Sequence, residues 1–269
     1  MARLSICLPV LNGADLVEDA LRSIDVQTSR DFIVLAGDNA STDETRHVLD
    51  RWAARLPMQI VSQSETIPMQ AHFNQLLDRV GTEAFMVLCH DDYFRSPDAV
   101  ARALAAVDAN PDISAIYCDL AYVSENNRLL ATRRFDRAGP INADVLGRDC
   151  LRRARNMFGI PLLVRRDALA RSRYDPQFHY LMDVDLSWTV SRHQPAWHIP
   201  ELLIANRYRR SNMTWDLLGA STAEYRLLAA KYGIDLSPVD RARLRLTNST
   251  VGWKRRAFGL YERMVTRFG

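Results

Sequence analysis

The sequence predicts an α/β fold in which a mainly parallel, twisted sheet is flanked by helices. Apolar runs of strand length alternate with segments in which apolar residues recur at helical spacing. Strands that alternate with helices of about 10–15 residues form βαβ units, and such units build a parallel sheet. The 269 residues, 48% of them apolar, also suffice for a large core, which excludes a mostly disordered chain.

The first half of the chain supplies the regular alternation. Residues 4–10 predict a buried strand, and helical spacing of apolar residues over 16–24 predicts the first helix. A helix-start signal at 41–44 precedes an apolar face that ends at Pro57. The pattern continues with strands over 32–35, 58–61, 84–89 and 113–123, and with helices over 73–80 and 99–107.

The second half is less regular. Residues 128–139 predict a basic loop or hairpin, 180–190 a helix, 197–199 a strand, and 238–269 a basic helical tail. No repeat or linker separates the halves, so we expect one compact body. Apolar residues in the tail recur every three or four positions among basic ones. This stripe favours packing on the domain or on a homodimer partner, and the alternative is a peripheral membrane contact.

Charge is divided unevenly along the chain. Residues 1–150 hold 14 arginines against 22 acidic residues, whereas residues 151–269 hold 21 basic residues against 10 acidic ones. This division predicts a two-sided site with one acidic and one basic wall. No nucleic-acid recognition motif accompanies the basic half, so we expect no nucleic-acid partner.

The cysteines and the terminal sequence bear on the compartment. The four cysteines lie far apart, and three of them fall in apolar runs, which predicts thiols in a reducing cytosol. The N-terminus lacks a signal-peptide pattern, and no apolar run approaches the ~18 residues of a membrane span. We therefore expect a cytoplasmic protein, with the inner face of the membrane as a peripheral location.

Polar residues follow the predicted strands at the edge where open α/β sheets bind ligands. After the second strand, the Asp38 carboxylate can accept a hydrogen bond from a donor such as a uracil N–H; the alternative is a helix N-cap cluster. Asp91 and Asp92 follow an apolar strand, and adjacent carboxylates repel unless a cation offsets their charge. Mg²⁺ and Mn²⁺ prefer such oxygen ligands, and the alternative is a simple turn.

Four motifs now combine in order along the chain. They are SICLPVLNG at 5–13, ALRSI at 20–24 with QT at 27–28, DNASTD at 38–43, and CHDD at 89–92. In this order and spacing they resemble the family-two glycosyltransferases with a GT-A fold. The resemblance is strong over residues 4–125 and weaker over 155–215. No phosphate-binding glycine loop, Gly-x-Ser-x-Gly elbow or zinc-ligand spacing competes with it.

The resemblance implies roles for the residues around the nucleotide. Pro9 and Asn12 match the turn that lines the nucleotide pocket. Asp38 matches the acid that accepts from the base, and Asn39 follows it. Asn74 falls with His72 in a segment that often reaches the nucleotide.

It also implies a metal site. Asp92 matches the ligand of Mg²⁺ or Mn²⁺, and Asp91 matches a ribose or metal contact. His90 departs from the family pattern, because many members carry an aspartate there. This departure would weaken metal binding, change the preferred metal, or place an imidazole near the diphosphate.

The catalytic base is expected from the second half. Asp183 matches the family's general base, although Met182 replaces the glutamate that often precedes it, and Asp185 matches a supporting position. The alternative for Asp183 is an acid that interacts with the helix dipole. Arg209 lies in a basic run that matches a diphosphate contact, and the alternative is a solvated run.

The resemblance therefore implies an inverting glycosyltransferase. It would move a sugar from a nucleotide sugar, most simply a UDP-sugar, to an acceptor hydroxyl in polysaccharide, glycolipid or other glycoconjugate synthesis. Residues 1–125 would bind the donor, 126–220 the acceptor and the base, and 221–269 would form a helical basic extension. The alternative is a catalytically silent sugar-nucleotide-binding or membrane-docked scaffold protein.

Overall fold

The computed structural model describes residues 2–135, 138–170, 172–209, 217 and 221–249. The strands are β1 (Leu4–Val10), β2 (Phe32–Asp38), β3 (Met58–Ser62), β4 (Ala84–Val87), β5 (Tyr93–Phe94), β6 (Ala115–Val123), β7 (Leu129–Arg133), β8 (Gly139–Ile141), β9 (Pro161–Arg165) and β10 (Ala196–Arg207). The helices are α1 (Val17–Asp25), α2 (Thr45–Ala53), α3 (Met69–Leu77), α4 (Ala99–Ala109), α5 (Ala143–Arg153), α6 (Met182–His193), α7 (Ser221–Lys231) and α8 (Pro238–Ser249), with a 3₁₀ helix at Arg166–Ala170.

One sheet joins the ten strands of these described ranges. Its order is β3-β2-β1-β4-β9-β6-β10-β5, with β7 beside β6 and β8 beside β10. The neighbours from β3 to β4 are parallel, as are β6 and β10, whereas β9 runs antiparallel between β4 and β6. The predicted α/β fold with flanking helices is confirmed, and the sheet becomes mixed where β9 enters it.

The sheet is covered on both faces, which explains the unbroken apolar run of β1. Leu4, Ile6 and Leu8 pack on the face that α1, α2 and α4 cover, and Cys7 points to the opposite face with α3, α5, α6 and α7. A strand buried on both faces needs apolar residues at every position rather than at alternate ones. β1 is therefore firmly held, and its carboxyl end is a rigid support for the loop that follows.

The second half contains elements that the sequence analysis did not locate, among them α5, β9 and α7. Gly147 lets α5 approach α6, because a Cβ there would lie 2.2 Å from the Trp188 ring. Tyr232, just after α7, stacks on α6, and the centre of its ring lies 3.9 Å from that of Trp188. These helices are specified by contacts between distant residues more than by their own periodicity.

The predicted basic tail is described only in part. The α8 helix lies within the predicted range 238–269, but the apolar stripe beyond residue 249 lies outside the described residues. No helix in the portion that the structure describes combines the length and apolar character needed to cross a membrane.

Candidate active site

A cleft of about 1280 Å³ opens at the carboxyl ends of β1, β4 and β6. It exceeds the ~300–1,000 Å³ of a typical small-molecule site, which leaves room for two substrates. Its first-half wall contains Pro9, Asn12, Asn39, His90, Asp91 and Asp92, and its second-half wall contains Arg153, Arg155, Tyr180, Asp183 and Arg209. Residues from both halves of the chain therefore line one cleft.

The turn after β1 is tied to the loop after β2. Asn12 takes up a left-handed conformation with φ of 48°, which asparagine tolerates better than most residues. Its backbone N–H donates to Ser41 Oγ at 2.9 Å, and its Oδ1 accepts from the backbone N–H of Thr42 at 2.8 Å. These two bonds fix the turn that carries Pro9 and Asn12 to the cleft.

Two polar residues end β2 and shape the same side. Asp38 is 5% exposed, and its Oδ1 accepts a hydrogen bond from the backbone N–H of Ser41 at 2.9 Å. The Asn39 amide donates to the Ile67 carbonyl at 2.9 Å and accepts from the Ile67 N–H at 3.0 Å. Asp38 thus supports the loop from behind, while Asn39 lies at the cleft.

His72 lies beside this loop and also lines the cleft. Burial lowers the pKa of His72, so the ring is neutral near pH 7. Its Nε2 lies 3.1 Å from the Gly37 carbonyl oxygen, which can only accept, so Nε2 carries the proton. Within the described part of the chain, Nδ1 has no hydrogen-bond partner and is an acceptor.

The acidic pair follows β4 in a tight turn. Asp92 is 3% exposed, and its carboxylate accepts from the Asn206 amide at 3.0 Å and from the Arg207 N–H at 3.1 Å. Burial and the neighbouring charge of Asp91 raise the pKa of Asp92 well above its usual value. The charged pair is therefore unfavourable unless a cation or further hydrogen bonds offset it.

The donor set at this turn fits Mg²⁺ or Mn²⁺. Ligand atoms of Cys89, Asp91 and Asp92 lie within 4.8 Å of one another. Burial raises the pKa of the Cys89 thiol well above its usual value, so it stays protonated and leaves the carboxylate oxygens as ligands. Hard divalent cations prefer such oxygens, often one or two carboxylates completed by phosphates and water.

His90 packs under the turn after β1. A Cβ added to Gly13 would lie 2.4 Å from Cδ2 of His90, so only glycine fits at that position without displacing the ring. The imidazole therefore couples the β1 turn to the acidic turn.

Asp183 lies in the first turn of α6, on the second-half wall. Its side chain is exposed to the cleft, but the surrounding protein excludes enough water that burial raises its pKa to about 6. A carboxylate with a pKa just below neutrality is charged at pH 7 and still basic enough to accept a proton. Met182 beside it is buried in the core.

Helix α7 anchors the start of α6. One carboxylate oxygen of Glu224 accepts backbone hydrogen bonds from His179, Tyr180 and Leu181 at 3.1, 2.9 and 2.9 Å. Glu224 is 7% exposed, so these bonds are shielded from water. They satisfy N–H groups at a helix start that has no side-chain cap of its own, and so fix the loop before Asp183.

Asp185 faces away from the cleft and is bonded to residues at the end of α7. Its carboxylate accepts from Lys231 Nζ at 2.8 Å and from the Tyr232 hydroxyl at 3.2 Å. Burial raises the pKa of Asp185, and Lys231 opposes that rise. Its contacts orient α6.

The segment that supplies the first-half wall of the cleft matches a known family. The model described as Glycosyl transferase family 2 matches residues 5–173, well over half of the chain. The chain belongs to glycosyl transferase family 2. The predicted family is therefore confirmed.

Curated relatives of this family-2 chain are similar over somewhat less than half of its length. A PGL/p-HBAD biosynthesis glycosyltransferase of Mycobacterium tuberculosis is 29% identical over 125 residues, 46% of this chain and 49% of the relative. The abequosyltransferase RfbV of Salmonella typhimurium is 28% identical over 140 residues, 46% of this chain and 40% of the relative. The matched region spans half or less of these relatives.

Solved structures resemble the family-2 fold over nearly the whole chain. S. aureus TarS 1-349 in complex with UDP-GlcNAc has a TM-score of 0.67 at 14% identity, covering 93% of this chain and 71% of that one. The Pyrobaculum calidifontis mannosyltransferase PcManGT, in complex with GDP-Man and Mn²⁺, has a TM-score of 0.60 at 18% identity, covering 99% and 76%. At these identities the likeness shows the fold, which is of the predicted GT-A type.

Eight of the eleven predicted site residues line the cleft, and Asp38, Asn74 and Asp185 do not. Asn74 was expected beside the nucleotide, but its amide donates to the Tyr174 carbonyl and accepts from the Tyr174 N–H, both at 2.9 Å. These bonds tie α3 to a distant loop and hold Asn74 away from the cleft lining. Sequence analysis missed Glu224, because nothing near it in sequence indicates that it caps α6.

Proposed function

We propose that the protein transfers a sugar from a nucleotide sugar, with a UDP-sugar favoured, to an acceptor hydroxyl with inversion at the sugar carbon. The observation that carries this proposal is Asp183, a carboxylate with a pKa of about 6 that lines the same cleft as the acidic pair. The family and the nucleotide-sugar complexes of structural neighbours support the donor class.

The first-half wall would hold the donor. The turn of Pro9 and Asn12, with Asn39 at the cleft and Asp38 supporting the loop from behind, would take the nucleoside. Asp91 and Asp92 would hold Mg²⁺ or Mn²⁺ at the diphosphate. When bound, such an ion supplies charge stabilisation to the leaving nucleoside diphosphate.

The second-half wall would supply the proton acceptor. Asp183 Oδ would take the hydroxyl proton of the acceptor as that oxygen attacks the sugar carbon from the face opposite the leaving group. General-base assistance of this kind is worth ~10²–10⁴-fold in rate. Arg209, on the same wall, would contact the diphosphate, since a guanidinium matches phosphate geometry.

A thermal-shift screen of nucleotide sugars, followed by assay of donor hydrolysis, tests the proposal. A bound ligand raises stability by RT ln(1 + [L]/Kd), so we expect a UDP-sugar with Mn²⁺ to give the largest shift and to release UDP slowly. The same measurements with EDTA test the metal, whose removal should abolish both effects. A larger shift with GDP-sugars would overturn the donor assignment, and binding without hydrolysis or transfer would favour the silent module.

A further inference from the structure

The end of α5 brings two arginines to the second-half wall. Arg153 closes the helix, and Ala154 then adopts a left-handed conformation with φ of 50°, which turns the chain and places Arg155 beside the cleft. Both arginines line the cleft and are exposed to it. Neither belongs to a motif that led to the proposed function.

Arg155 is uncompensated among the described residues. Its side chain has no hydrogen bond or ion pair there, and Arg153 has only a 4.0 Å contact to Asp149 on its own helix. Exposed arginines usually point to bulk solvent, but these two share a cleft with a catalytic carboxylate. Their charge is thus available to a bound molecule.

A third guanidinium lies directly behind them. Arg133 is 7% exposed and donates to the carbonyls of Met157 and Phe158, the latter at 2.8 Å. A Cβ on Gly159 would lie 2.1 Å from Arg133 Nη2, so the cleft-lining backbone wraps the guanidinium closely. Burial lowers the pKa of Arg133, and the positive charge of Arg155 adds to that effect.

Arg133, Arg153 and Arg155 together give the second-half wall an excess of positive charge. In the ranges that the structure describes, no carboxylate forms an ion pair with Arg133 or Arg155. Like charges held together in a partly dehydrated cleft repel, and an anion relieves that repulsion. The guanidinium fork suits the paired oxygens of phosphate or carboxylate.

The position of Arg155 favours the acceptor over the donor. Its charge opposes the rise that burial causes in the pKa of Tyr180, so it lies near the loop that leads into Asp183. Among the described residues, no hydrogen bond or ion pair joins Arg155 to the acidic pair that would hold the donor diphosphate. An anion at Arg155 would therefore be presented beside the proposed base.

We propose that Arg153 and Arg155 bind an anionic group, phosphate or carboxylate, carried by the acceptor. This inference rests on the proposed function, because it assigns the acceptor class of the same cleft. The site would raise acceptor affinity and orient its hydroxyl toward Asp183. Nothing in the proposed donor chemistry depends on it.

Titration calorimetry on the full chain, saturated with UDP and Mg²⁺, tests the site with inorganic phosphate as probe. We expect Arg155→Gln to weaken phosphate binding about tenfold, because a charge-assisted hydrogen bond is lost. Arg148→Gln is the matched control, since it neutralises an exposed arginine of α5 outside the cleft lining and should leave binding unchanged. Malonate replaces phosphate in a second arm to identify carboxylate preference, and vesicles containing phosphatidylglycerol test a lipid headgroup as the source.

Two results would overturn the inference. One is equal phosphate affinity in the Arg155→Gln and Arg148→Gln variants; the other is a loss of UDP affinity in Arg155→Gln alone, which would assign this arginine to the donor. If the wild-type chain fails to bind UDP, the proposed function fails instead. The phosphate titration without UDP then still compares the two variants.

Discussion

The two walls of the cleft are held by contacts from different parts of the chain. On the first-half wall, loops that follow neighbouring strands bond to each other, as Asn12 does to Thr42 thirty positions away. On the second-half wall, the loop before Asp183 is held by Glu224, which comes from a helix 43 to 45 positions later. The turn of Asn12 is thus held by the motif that follows the neighbouring strand, and Asp92 on the same wall also needs Asn206 and Arg207 of β10. The loop before Asp183 depends instead on α7, beyond the segment that the family model matches.

The largest expected effect comes from removing the charge of Asp92 on the first-half wall. Asp92→Asn keeps the shape and an acceptor for Asn206 and Arg207 but removes a carboxylate of the proposed metal site. We expect divalent-dependent UDP binding to weaken more than ~100-fold, measured by titration calorimetry with and without EDTA. Cys89→Ser is the control, because a protonated thiol contributes little to a hard cation and its loss should change affinity less than about threefold. Unchanged UDP affinity in Asp92→Asn would remove the metal role.

The next prediction concerns Glu224, whose loss should affect the second-half wall and leave the first-half wall intact. Glu224→Ala leaves three backbone N–H groups at the start of α6 without their acceptor, which we expect to cost about 2 kcal/mol of stability and to lower kcat about tenfold. UDP affinity should stay unchanged, because the first-half wall does not depend on α7. Glu224→Gln retains an acceptor oxygen and should recover part of kcat, and Arg226→Ala, an exposed change on the same helix, should match wild type. A parallel loss of UDP affinity would show that the walls are not independent.

The pH dependence should reflect Asp183. Its pKa is raised to about 6, and a general base must be deprotonated, so kcat/KM should be level near pH 7.5. Below pH 6 it should fall about tenfold per pH unit, because protonation removes the base in proportion to acidity. A rate profile between pH 4.5 and 8, with enzyme stability checked at each pH, measures this, and a flat profile through pH 6 would exclude a base with that pKa.

The smallest effect concerns the coupling inside the first-half wall. Gly13→Ala pushes the His90 ring away, and we expect this overpacking to cost about 1–3 kcal/mol of stability together with a several-fold loss of UDP affinity. Gly81→Ala is the control, since a Cβ there meets nothing within 4 Å. The double variant Gly13→Ala/His90→Ala should recover much of the stability, and a purely additive result in chemical denaturation would contradict the contact.

The sequence predicted the strands of the first half better than the elements of the second half. β1 matched its predicted bounds, because a strand buried on both faces produces an unbroken apolar run. The polar residues after β1 and β4 reached the cleft, since the carboxyl ends of parallel strands meet at one edge, whereas Asp38 at the end of β2 lies behind it. β9 was missed because an antiparallel strand inserted between β4 and β6 is a matter of long-range pairing.

Side-chain roles were harder to predict than positions. Asn74 lies in a helix near the nucleotide side, but it bonds to the backbone of Tyr174, a hundred residues away, and no local signal indicates this. The capping of the α6 start by Glu224 is equally non-local. Asn74 and Glu224 both have partners far along the chain, although Asp92, whose partners lie in β10, reached the cleft that its position after β4 predicted.

The central claim is that a base on the second-half wall serves a donor held on the first-half wall. The most direct test of this claim is the Asp183→Asn variant. It removes the proton acceptor while keeping the side chain's size, so transfer or donor hydrolysis should fall ~10²–10⁴-fold. UDP affinity in the presence of metal should stay within about twofold of wild type. Asp167→Asn, which changes an exposed aspartate outside the cleft lining, should behave as wild type. Near-normal turnover of Asp183→Asn would contradict the two-wall mechanism.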